Sequence, residues 1–157
     1  MLFRSRGVLP VCERYGMGVI PWSPLAGGWL SGRYRKDAEA PESTRAHRIP
    51  QRYDMSLPEN RAKLEAADAL AKLADEAGIS LIHLAIAFVL RHPAVTAPIV
   101  GPRTMEQLES QLGAVDVELD DALLDRIDEI VPPGTNLNPA DAGYTPAALA
   151  DASRRRR

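Results

Sequence analysis

The sequence predicts an α/β fold with parallel strands, and three observations lead there. Residues 17–22 and 95–100 are short apolar runs containing β-branched side chains (Val19 and Ile20; Val95, Thr96, Ile99 and Val100), the pattern of strands buried on both faces. The stretch between them holds two helical patterns, as a crossover between parallel strands requires. Each run then passes into a glycine-containing loop, at Gly27-Gly28 and at Gly101. Two strands do not make a stable sheet alone, so the chain reads as part of a larger sheet.

Taken in order, Val8, Leu9, Val11 and Cys12 form an apolar cluster that suits a short helix ended by Gly16. Pro10 is compatible with that helix only in its first turn. Pro21 fits best at the end of the first strand, because proline donates no ladder hydrogen bond. Residues 23–57 show neither helical nor alternating period and hold Pro24, Gly27, Gly28, Gly32, Pro41 and Pro50 together with Arg33, Arg35, Arg45, Arg48 and Arg52. A structureless loop of this length is functional or disordered.

Helix is expected to resume at Ser56 and Glu59, spaced as an S-x-x-E capping box, with Leu64, Ala67, Ala71 and Ala74 on one face and Gly78 as its stop. Ser80 is the expected cap of a second helix running to Leu90, apolar almost all round and therefore buried, and closed by His92-Pro93. Thr104 and Gln107 form a T-x-x-Q box opening a helix to about Leu112. Asp120 begins a last amphipathic helix carrying Leu123, Leu124, Ile127, Ile130 and Val131. Residues 1–131 thus read as the folded part. Residues 132–157, rich in Pro, Asn and Ala and ending in Arg154 to Arg157, read as an extended or disordered tail.

Composition narrows the function classes. The 157 residues are 45% hydrophobic and 25% charged, as in soluble globular proteins. A net charge of −2 recruits neither nucleic acid nor an anionic membrane. The longest apolar run, 84–90, is far short of the ~20 residues of a membrane helix. The first seven residues hold no secretory h-region, and Cys12 is the one cysteine, so the reading is cytoplasmic and without a disulfide. Cys12, His47, His83 and His92 lack metal-ligand spacing, and no metal is expected. His47 reads as solvated, His83 as packed and His92 as a helix-end residue. The acidic residues Asp121, Asp125, Asp128 and Glu129 read as a solvated helix face.

Two segments carry chemistry. In the first, a strand opens into Trp22-Ser23-Pro24-Leu25-Ala26-Gly27-Gly28, followed by Ser31-Gly32-Arg33-Tyr34. Glycines let backbone amides approach a ligand closely and cradle phosphate oxygens. The plain alternative is a turn punctuated by Gly and Pro. In the second, a strand runs through Gly101 and Arg103 into a helix N-terminus capped by Thr104, where the helix dipole and a guanidinium favour an anion. The plain alternative there is a capped helix with a solvated arginine. As a pair they match the phosphate site of parallel α/β barrels, which lies on the loops after the last two strands.

Gly18-Val19-Ile20-Pro21-Trp22-Ser23-Pro24-Leu25-Ala26-Gly27-Gly28, then Ser31-Gly32-Arg33-Tyr34, resembles the aldo-keto reductase segment at barrel strand seven. Pro98-Ile99-Val100-Gly101-Pro102-Arg103-Thr104-Met105-Glu106-Gln107-Leu108 resembles strand eight and its following helix. The resemblance runs over residues 7–131. It implies the C-terminal part of a (β/α)8 TIM barrel, strands seven and eight with their helices, in an enzyme that binds NADP(H), or less often NAD(H), and reduces aldehydes or ketones by hydride transfer. By position, Trp22, Ser23, Pro24, Leu25, Ala26, Gly27 and Arg33 would line the pyrophosphate and its covering loop. Gly101, Arg103, Thr104 and Gln107 would hold the adenosine end and any 2′-phosphate. Where the family has Glu and Asn against the adenine, this chain has Ser110 and Gln111. Gln111 can still bond a base, whereas Ser110 is too short to copy Glu.

The family's proton-donor Tyr and its Asp, Lys and His partners lie on earlier strands. A barrel of this class takes about 250 residues, against 157 here. The resemblance therefore implies an incomplete, truncated barrel without catalytic residues, which takes a carbonyl substrate only if the other half is supplied. The alternative expectation is a catalytically inactive remnant or a protein-interaction module.

Overall fold

The structure, a computed structural model, describes residues 7–39, 41–139 and 151–155. The first helix, α1 (Leu9–Arg14), carries Pro10 in its first turn, where a missing N–H costs nothing, and closes through the left-handed Gly16. The two segments expected as strands then run side by side. Val19 pairs with Val95 and Trp22 with Ile99, both in parallel, through Thr96 N–H to the Val19 carbonyl (2.9 Å) and Ile99 N–H to the Pro21 carbonyl (2.7 Å).

The parallel direction agrees with the sequence; the expected burial and continuity do not. The pairings are isolated bridges rather than a ladder, and Ile20, Trp22 and Ile99 are 61%, 60% and 53% exposed. Pro21 and Pro98 remove donors from the segments. Among the described residues no third segment pairs with either one, so half of each backbone edge has no ladder partner.

The core is helical. The 19-residue α3 (Pro58–Glu76) turns by 95° into α4 (Leu81–Leu90). The small face of α3, Ala67, Ala71 and Ala74, is buried, so α4 can pack close against it. Leu73, Leu81, Leu84 and Ala87 complete the centre with Leu119 and with Ile127 of α6 (Asp121–Ile130). Each fully buried leucine there contributes roughly 1.5–3 kcal/mol of transfer free energy. Between α4 and α6 lie α5 (Met105–Leu112) and the 3-10 turn Gly113–Asp116. An ion pair between Arg126 and Glu76, 2.6 Å, ties α6 to α3.

The expected caps form at Ser80, Thr104 and Asp120, whose side-chain oxygens accept from His83, Gln107 and Leu123 N–H at 3.1, 3.2 and 2.7 Å. The Ser56–Glu59 box does not. Pro58 is the first residue of α3, and it holds Leu57 extended (φ −81°, ψ 127°), which makes Leu57 the cap position without a side-chain acceptor. Ser56 instead donates its N–H to Asp54 Oδ1 at 2.8 Å.

Residues 23–57 are not structureless either. They contain the 3-10 turns Ala26–Gly28 and Pro50–Arg52 and a short helix, α2 (Thr44–Arg48). Within the segment expected to be an extended tail, Ala152–Arg155 forms a one-turn helix, α7, and residues 140–150, 156 and 157 lie outside the described residues.

Candidate functional site

The parallel pairing of Trp22 with Ile99 sends both glycine-containing loops out from the same end of the two segments. The first loop is tightly curled and strained. Ser23 and Ala26 have φ of 62° and 49°, and Gly27 and Gly28 follow at 75° and 106°. Left-handed backbone costs a non-glycine residue on the order of 1 kcal/mol, and such outliers concentrate where a ligand is held.

The curl is closed by hydrogen bonds. Ala26 N–H donates to the Ser23 carbonyl (3.0 Å), Gly28 N–H to the Leu25 carbonyl (2.8 Å) and Gly27 N–H to Ser23 Oγ (3.2 Å). These three amides are therefore bonded within the loop, not open as the sequence reading of a phosphate cradle had them. Ser23 spends its hydroxyl acceptor in shaping the loop.

Two residues of the long connection reach this loop. Tyr53 Oη donates to the Gly27 carbonyl at 2.7 Å. A Cβ on Gly27 would lie 3.3 Å from Tyr53 Oη, a tight contact, and 3.6 Å from Arg45 Nη1, so glycine is favoured there chiefly by its positive φ and secondarily by space. Behind them, Trp29 and Tyr34 are buried and meet each other tilted at a centroid distance of 4.6 Å, and the Tyr53 ring stacks with them at 5.5 and 5.9 Å respectively. Lys63 Nζ lies 5.0 Å from the Trp29 ring centroid. Tyr53 also borders an open hollow of about 470 Å³, lined with it by Ala46, Pro50, Gln51 and Asp54. The Asp54 carboxyl is held below the ordinary carboxylate range, first by the Ser56 hydroxyl and then by the Ser56 amide.

The second loop leads from Gly101 through Pro102, Arg103 and Thr104 into α5. Gln107 Oε1 accepts from Arg103 N–H at 2.8 Å, so the box closes one residue further out than its usual form, which would reach Thr104 N–H. The Arg103 side chain extends the other way and donates to Thr44 Oγ1 at 3.3 Å. Neighbouring residues of α2 thus serve both loops: Thr44 meets Arg103, and Arg45 lies beside Gly27.

The remaining expected positions are less gathered. Trp22 and Ala26 are exposed, while Ser23, Pro24 and Leu25 are half-buried. Arg33 is exposed and donates to the Glu42 carbonyl at 3.0 Å. Gly101, Arg103, Thr104 and Gln107 are exposed at the mouth of α5, whereas Gln111 is 8% exposed, packed into the protein. Ser110 turns its hydroxyl back to the Gln107 carbonyl.

Sequence reasoning missed Thr44, Arg45 and Tyr53. One signal was present: Ser43 caps α2, its Oγ accepting from Ala46 N–H at 3.4 Å. Among the described residues, no group of three or more His, Cys, Asp or Glu side chains is placed to hold a metal ion. No single helix there is long and apolar enough to cross a membrane.

A model of the aldo/keto reductase family matches residues 1–132. The chain belongs to the aldo-keto reductase family. It is 40% identical over 144 residues to an uncharacterized oxidoreductase of Bacillus subtilis, covering 91% of this chain and 39% of that protein. It is 34% identical over 132 residues to a probable voltage-gated potassium channel subunit beta of Arabidopsis thaliana, covering 78% of this chain and 38% of the relative. Among solved structures, a glycerol dehydrogenase from Gluconobacter oxydans superposes with a TM-score of 0.69 at 22% identity, over 92% of this chain and 42% of that one. This likeness shows the fold alone. The aldo-keto reductase fold is the (β/α)8 barrel, and the chain spans about two fifths of the relatives it matches. Aldo-keto reductases generally pair a nicotinamide dinucleotide with a carbonyl substrate.

Proposed function

We propose that this chain is the nucleotide-holding, C-terminal portion of an aldo-keto reductase, the region of barrel strands seven and eight, and that it binds NADP(H) in an enzyme that reduces aldehydes or ketones. The observation that carries the reading is the position of α2, which sets Arg45 against the strained glycine loop while its neighbour Thr44 engages Arg103. One guanidinium, Arg45, then lies beside the left-handed turn, and a second, Arg103, is held by the residue next to it in α2. Guanidinium forks suit phosphate oxygens, and the N-terminus of α5 adds a favourable dipole.

In this reading Trp22 through Gly27 and Arg45 border the pyrophosphate, with Arg33 at the outer edge. Gly101, Arg103, Thr104 and Gln107 take the adenosine end, with Gln111 beneath them. Arg103 is the group for a 2′-phosphate, which favours NADP(H) over NAD(H). The cofactor, when bound, supplies the hydride. This chain's residues bind and orient it, and the proposal gives none of them a catalytic role. Turnover belongs to the whole barrel, whose remaining strands would bring the proton donor and the carbonyl pocket.

NADPH fluorescence titration of the purified chain tests the proposal. A saturable change is expected. No saturable signal at millimolar NADPH would sink it and leave the inactive remnant or interaction module as the better account.

A further inference from the structure

The strap formed by residues 51–56 is gripped by the first turns of α3. Asn60, 0% exposed, donates through Nδ2 to the Gln51 and Asp54 carbonyls, both at 2.8 Å. Arg61 Nη1 donates to the Met55 and Ser56 carbonyls at 2.9 and 2.7 Å, and Lys63 Nζ to the Arg52 carbonyl at 3.0 Å. Five side-chain bonds thus fix a short piece of backbone on the rigid helix. The Tyr53 side chain leaves this strap and meets the Gly27 carbonyl at 2.7 Å. That carbonyl lies in the middle of the left-handed stretch Ala26, Gly27 and Gly28.

We propose that Tyr53 is a positioning residue: a latch, anchored on α3 through the strap, that keeps the glycine loop in its strained, curled form. Its consequence for NADP(H) affinity rests on the nucleotide-binding reading above; the latch itself does not. The geometry separates two duties of the side chain. The ring packs on Trp29 and Tyr34, while the hydroxyl donates to the Gly27 carbonyl of the loop.

Tyr53→Phe removes the second duty and keeps the first. Amide hydrogen exchange of the purified chain, read by mass spectrometry, is the test. Exchange in residues 23–32 is expected to rise about tenfold, the order of one net hydrogen bond, with residues 58–90 unchanged and Tm lowered by no more than a few degrees. Unchanged exchange in 23–32, or a rise shared evenly with α3 and α4, would overturn the latch. In parallel, the variant should weaken NADPH about tenfold, mainly through faster dissociation. If wild type shows no saturable NADPH binding, the cofactor reading fails while exchange still decides the latch. Should wild type bind and Tyr53→Phe bind equally, with the same dissociation rate, the latch has no part in holding the nucleotide.

Discussion

Arg103 Nη1 donates to Thr44 Oγ1 across 3.3 Å, joining the loop before α5 to a helix 59 residues earlier in the chain. The bond is long, exposed and made to a neutral acceptor, so it parks the guanidinium without consuming it. A phosphate, accepting with charge, competes well for the same donor.

That competition gives the first prediction. Arg103→Ala should weaken NADPH by about ten- to a hundredfold, the order of a hydrogen bond to a charged group. NADH, lacking the 2′-phosphate, should lose less. Thr44→Val should shift NADPH affinity by less than about threefold. Paired titrations of both cofactors decide it, and equal losses for NADPH and NADH in Arg103→Ala would remove Arg103 from the 2′-phosphate.

Gly27→Ala should destabilise the chain by about 1–2 kcal/mol, because φ is 75° and the new methyl would sit 3.3 Å from Tyr53 Oη. Thermal melts give the stability change. A variant as stable as wild type would mean that the loop adopts another backbone.

For the helical core, Leu84 is the sensitive position, 2% exposed at the centre of the cluster. Leu84→Ala should cost about 3 kcal/mol through lost transfer free energy and an unfilled cavity. Denaturant titration would show it as a lower midpoint at constant slope.

The pair Asp68–Lys72, 2.8 Å apart along α3, sets a pH dependence. The Lys72 hydrogen bond, more than any other influence, holds the Asp68 carboxyl below its ordinary range, and the same bond holds Lys72 above its own. A depressed carboxylate contributes stability above its unfolded pKa of about 3.9 and loses it as pH falls through the folded value. A raised lysine contributes below about 10.4 and loses it as pH climbs through the folded value. Asp68→Asn should therefore flatten both the acid and the alkaline limbs of a Tm–pH curve. Unaltered limbs would show that the pair does not contribute.

Much of the fold was legible in the sequence where the governing interaction is local. Ser80, Thr104 and Asp120 cap the helices they were expected to cap, because a hydroxyl or carboxylate three residues before an amide needs no distant partner. Ser56 failed for an equally local reason, the steric reach of Pro58, which the spacing alone does not weigh. The segments around Val19 and Val95 show a different limit. Apolar runs report what a strand could bury, not whether a covering layer is present, and Ile20 and Ile99 stay exposed. In the candidate site, Gly27 and Arg103 carry visible motifs. Arg45 and Tyr53 do not: Arg45 is carried by the short α2, and Tyr53 is placed by an aromatic stack with Trp29 and Tyr34 and by the grip of Asn60 on its strap, contacts without a sequence period.

The bridges of Val19 with Val95 and Trp22 with Ile99 have a kinetic consequence. The turn from α3 into α4 closes early, between neighbours in the chain, whereas these bridges must first pay the closure entropy of everything in between. On that ground the site is expected to gather last in folding and to be released first in partial opening. The two loops would then separate while the helices, and the far-ultraviolet circular dichroism, stay intact.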